Sequence, residues 1–132
     1  MIRSFIFAAA ALLLCVGASA QAQSLSPMRA NVLTFGEMGA VRAALRNPYT
    51  TARRFDIEVY GTNWQKIDDV RLTRQSLALG PGSSTSILAL VPVGGSNRRE
   101  VYECASSRPY PPSSAGLRGQ VCGRYQLIKR AL

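Results

Sequence analysis

Short apolar runs broken by turn residues make up most of this chain. The clearest is Phe55-Asp56-Ile57-Glu58-Val59-Tyr60, in which apolar and charged residues alternate. A period of two is what a strand with one buried face shows. Similar runs predict strands over Met28–Phe35, Ala40–Leu45, Thr85–Val91, Arg99–Ala105 and Gln120–Lys129, with shorter ones at Val70–Leu72 and Leu77–Leu79. The breakers have mechanisms. In Asn47-Pro48-Tyr49-Thr50 the proline presets φ and the asparagine bonds its own backbone. Gly80-Pro81-Gly82-Ser83-Ser84 is a strong turn signal, and Pro92 to Asn97 is a loop. Ser106 to Gly119 is rich in Pro, Ser and Gly and reads as a long loop. About seven strands at regular spacing, without a helix, predict an all-β, immunoglobulin-like β-sandwich. A small barrel is the runner-up.

The pattern is different at the N-terminus. Arg3 precedes an apolar run from Phe5 to Val16, followed by the small residues Gly17, Ala18, Ser19 and Ala20. That is the layout of a cleaved export signal, and the run is short for a membrane span, which needs about 20 apolar residues. Cleavage reads equally well after Ala20 or Ala22. The expected organisation is therefore a signal peptide over 1–20 and one β-sandwich domain over 24–132. The chain is an export candidate, and Cys15 is lost with the signal, because Leu14 stands where a lipoprotein needs a small residue.

Export changes the reading of the cysteines. Of three in the chain, Cys104 and Cys122 remain, 18 positions apart. Outside the reducing cytosol such a pair forms a disulfide. A metal site is the rival, and it is a poor one: the chain has no histidine, and structural zinc wants four ligands. No metal or cofactor is expected.

Charge adds a class of partner. There are 16 Lys+Arg against 7 Asp+Glu, and removing Arg3 leaves +8 on the exported part. Acidic protein, anionic glycan or lipid headgroups all fit, alongside an ordinary solvated surface; nucleic acid does not fit an exported protein. Catalysis has little to stand on. Without histidine there is no Ser-His or Cys-His nucleophile system, Asp56 and Glu58 share a solvent face, and Gly80-Pro81-Gly82 lacks the lysine and helix of a phosphate loop. Binding residues are the better candidates. Arg29 on the first strand, and Arg124 and Lys129 on the last, are either outward-facing side chains or cations presented to a carboxylate, as a bidentate fork in the case of the arginines. Trp64 is expected in the core, and Arg53-Arg54 and Arg98-Arg99 are expected in water.

Several segments together resemble the periplasmic pilus chaperones. They are Ser26-Pro27-Met28-Arg29-Ala30, the strand and turn over 40–48, Phe55–Tyr60 with Trp64 after it, Leu79 to Ser84, and Arg99-Glu100-Val101-Tyr102. The resemblance implies a PapD-like, immunoglobulin-type N-terminal domain in the periplasm. Such proteins lend their last strand to a pilus subunit by strand addition. By resemblance the donor residues are Val121, Tyr125 and Leu127, and the subunit's terminal carboxylate is anchored by Arg29 with Arg124, or Lys129 as second choice. One subclass has a long loop before the last strand and a disulfide flanking it, which Cys104 and Cys122 match. The implied partners are pilus subunits or an usher. Family members carry a second β-domain, and this sequence stops at Leu132. The alternative is a basic structural protein of the envelope, held to anionic glycan or lipid.

Overall fold

The computed structural model describes residues 23–109 and 118–131; the expected signal peptide lies outside them, as does most of the expected long loop. Among the described residues nine strands form two facing sheets. They are β1 (Ser24–Ser26), β2 (Arg29–Thr34), β3 (Met38–Arg46), β4 (Arg53–Tyr60), β5 (Arg71–Leu72), β6 (Ser76–Leu79), β7 (Ser84–Pro92), β8 (Arg98–Pro109) and β9 (Gly119–Lys129). One sheet has the order β1-β3-β7-β5, the other β2-β9-β8-β4-β6. The immunoglobulin-like sandwich is therefore the fold.

Alternation explains the layers. Along β3 every second residue is buried, from Gly39 through Val41 and Ala43 to Leu45. These meet Phe55, Ile57, Val101, Tyr125 and Leu127 from the other sheet in one core. Two turns hold the end of the sandwich. Pro81 and Gly82 occupy the middle of a turn closed by Ser83 N–H to Gly80 O at 3.2 Å, and Gly82 has φ +68°, the type II arrangement that favours glycine there. Asn47 is fully buried beside it. Its Nδ2 donates to Thr51 O, Leu79 O and Gly80 O, while its Oδ1 accepts from Tyr49 N–H.

β1 carries no signal in the sequence, because its three residues Ser-Leu-Ser are too few to show a pattern. β8 continues to Pro109 through the start of the expected loop: Ser106 to Arg108 are polar, yet they pair with Asp56 to Arg54 of β4. After β1 the chain leaves the first sheet and, as β2, pairs in parallel with β9 of the second. The last strand thus lies between the first long strand and β8.

Candidate functional site

β8 and β9 run antiparallel with Cys104 opposite Cys122, and the two cysteines form a disulfide. From that pair the register places Tyr102 opposite Arg124. Across the other edge of β9, Arg124 is the register partner of Arg29. Tyr60 of β4 is the partner of Tyr102. One row of outward-facing side chains therefore crosses four strands in the order Tyr60, Tyr102, Arg124, Arg29. At about 4.8 Å per strand the row is about 14 Å long.

At its basic end, Arg29 and Arg124 line a groove of about 390 Å³ with Ala30, Asn31, Glu100 and Gln126. Arg124 bonds the Glu100 carboxylate, which with its charge raises the guanidinium's already high pKa. Arg29 is exposed and makes no ion pair among the described residues. Two guanidinium groups against one carboxylate leave the groove net positive, which suits a carboxylate ligand.

Lys129 does not join them. It lies five positions along β9, about 16 Å away, pairs with Thr34 and bonds Glu37. The three expected donor residues also face the other way. Tyr125 and Leu127 are 1% and 0% exposed and belong to this chain's own core, and Val121 packs against that core. The alternation that makes them apolar serves the sandwich, so these side chains are not available to a partner. The Tyr125 ring folds back over Gly123, where any Cβ would come within 2.7 Å of it, and its hydroxyl donates to Pro27 O at 2.6 Å.

What β9 does offer is half an edge. β2 covers it only from Arg124 onward, beginning with Arg124 N–H to Met28 O at 2.8 Å. From Gly119 to Gly123 it pairs with β8 on one side and with no strand on the other among the described residues. The backbone groups of an antiparallel strand point alternately to either side. Those of Gln120 and Cys122 therefore point outward, like that of Arg124.

At its aromatic end the row is capped by Trp64. The expectation of a core tryptophan is wrong: it is 57% exposed. It sits in the loop between Tyr60 and Lys66 with φ +58°, a conformation that is strained for a bulky residue. Its ring stacks on Tyr102 at 4.4 Å and leans on Tyr60 at 6.3 Å. Arg53 also departs from expectation, being 7% exposed with its guanidinium 4.2 Å over the Tyr49 ring. Arg99 bonds Asp69 and Pro92 O.

Glu103 was not foreseen. It faces the interior between Val59 and Gly123, is fully buried, and neither oxygen has a hydrogen-bond partner among the described residues. Burial pushes its carboxyl up to about 7. The same burial, followed by the charge of Glu103, raises the Tyr125 phenol.

This arrangement of strands is that of the PapD-like domain of periplasmic pilus chaperones. The periplasmic chaperone SfaE superposes with a TM-score of 0.66 at 9% identity, over 83% of this chain and 59% of that one. A structure of the Salmonella enterica SafA pilin in complex with the SafB chaperone gives 0.65 at 14%, over 83% and 55%. The chain thus spans little more than half the length of these neighbours. PapD-like domain 7 of human CEP192 gives 0.60 at 10%, over 83% of this chain and 86% of that domain. At these identities the likeness is one of fold. No family model matches the chain, and no curated protein matches it in sequence.

Proposed function

We propose that this chain is an exported, periplasmic accessory protein of pilus assembly that binds an extended segment of a subunit. The observation that carries the reading is the pairing of Arg29 with Arg124 where the open half of β9 ends. A segment laid along Gly119–Gly123 would bond the outward backbone of Gln120 and Cys122, as strand addition requires. If it runs parallel to β9, its C-terminus arrives at the two arginines. The lending is then by backbone, since the large apolar side chains of β9 are committed to the core. Pilins and tip adhesins are the partners in solved complexes of the fold's neighbours, which supports a protein ligand and a binding role.

The test is recovery of a co-expressed pilin with this protein. Arg29→Ala is expected to lower recovery several-fold, because it removes a guanidinium that no carboxylate among the described residues occupies. Lys129→Ala, far from the groove, is expected to leave recovery unchanged. Equal recovery with Arg29→Ala would remove the anchoring role.

A further inference from the structure

The row across the sheet has an aromatic half that carboxylate anchoring does not use. Trp64 is strained and exposed. Its backbone is fixed by Trp64 N–H to Gly61 O and Gly61 N–H to Gln65 O, both 3.0 Å, and its underside is covered by Tyr102. A glycine would occupy this φ without strain. The tryptophan instead presents one indole face to solvent. Tyr102 and Arg124 are register partners, so the stacked Trp64–Tyr102 pair lies one strand from Arg124 on the same face of the sheet.

We infer that the site selects a peptide carboxyl terminus whose last residue is aromatic. With the carboxylate between Arg29 and Arg124, the terminal side chain lies over the outer sheet face, and a ring extending across Arg124 meets Trp64. An aliphatic or small terminal residue gains only the arginines. The pairing is also favourable in charge: the ligand's anion meets the basic end and its neutral ring meets the aromatic end. Glu100, beside Arg124, repels an acidic side chain at the terminal position. Trp64 is in this account a specificity residue, and the arginines hold the common element of all ligands.

The inference rests on the strand-addition reading for the source of the terminus, and its test separates the two. The chain's single tryptophan is Trp64, so its fluorescence reports the site directly. The exported protein is titrated with eight-residue peptides that differ only in ending in Phe or Ala, each as free acid and as amide. Affinity is read by calorimetry and the environment of Trp64 by its emission. The Phe acid is expected to bind roughly fivefold tighter than the Ala acid, the size of one aromatic contact, and to be the one that moves the emission. Trp64→Gly relieves the backbone and so folds. It is expected to abolish the preference while leaving the Ala acid's affinity unchanged. Equal binding of Phe and Ala acids overturns the inference and leaves the strand-addition reading standing. So does an equal loss for both in Trp64→Gly. Failure of both acids to bind overturns both readings. If N-methylation of the peptide backbone costs nothing while the Phe preference persists, strand addition falls and the aromatic selection stands.

Discussion

Glu103 holds both carboxyl oxygens inside the sandwich without a partner among the described residues, and the consequence is a stability that depends on pH. Its pKa is about 7 in the fold against 4.5 for a free glutamate. The raised value means that the folded chain holds this proton more tightly than the unfolded one. Stability from this group is complete below about pH 4.5, falls as pH rises, and is lost once pH passes about 7. At 1.36 kcal/mol per unit the loss is about 3 kcal/mol. Urea unfolding at pH 5 and pH 8 should show it. Glu103→Gln should flatten the difference and stabilise the chain at pH 8; an unchanged slope would acquit the carboxyl. A second residue-scale expectation concerns Glu100, which engages Arg124 from within. Glu100→Gln frees that guanidinium, so free-acid peptides should bind several-fold tighter by calorimetry; weaker binding would mean that Glu100 orients the arginine. Side-chain direction was the least legible property at this scale. Arg124 facing out could be counted from the disulfide, since Cys104 opposite Cys122 places Tyr102 opposite Arg124. The same count turns Tyr125 and Leu127 inward. Trp64 could not be read, because its exposure depends on a left-handed backbone that sequence pattern assigns to glycine or asparagine.

The strands were the most legible elements, because alternation and turn residues act locally. Phe55–Tyr60, Thr85–Val91 and the turns at Asn47 and Gly80 stand where their patterns put them. What the pattern could not supply was the parallel pairing of β2 with β9. It joins the two ends of the chain and depends on which sheet the chain enters after β1, and no local signal encodes that choice. That pairing decides the site, for it brings Arg29 to Arg124 and leaves only the first half of β9 open. The β8–β9 hairpin carries the other half of the responsibility, and the Cys104–Cys122 bridge pins its register. Closing a loop of 18 residues is worth about 3 kcal/mol by chain entropy. Replacing both cysteines by Ala should lower unfolding free energy by about that amount in non-reducing buffer. It should also weaken peptide binding, since Gln120 and Cys122 lie on the strand that the bridge holds. Unaltered binding by a less stable double variant would show that β9 keeps its place without the bridge.

At the scale of the whole molecule the question is whether charge or geometry holds the ligand. The chain carries +9 in all, enough to draw acidic polymers to its surface without any site. That figure is net of the acidic residues, of which Asp56, Glu58, Asp69 and Glu100 are held in ion pairs with Arg108, Lys66, Arg99 and Arg124, so the excess lies on the other basic side chains. The strand-addition reading concentrates the electrostatics in one contact, a carboxylate on two arginines, with backbone hydrogen bonds supplying the rest. Salt separates the two cases. Exposed charges more than about 10 Å apart are screened at 0.1 M, and about 3 Å suffices at 1 M. A ligand held by diffuse charge, such as an anionic glycan or a lipid headgroup surface, should lose affinity steeply between these concentrations. A subunit segment paired along β9 should lose only the share belonging to Arg29 and Arg124, less than about tenfold, or 1.4 kcal/mol. Affinity for a pilin-derived free-acid peptide, measured from 0.05 to 1 M salt beside an acidic oligosaccharide, gives the answer. If both fall together, the basic surface explains binding and the open half of β9 does not.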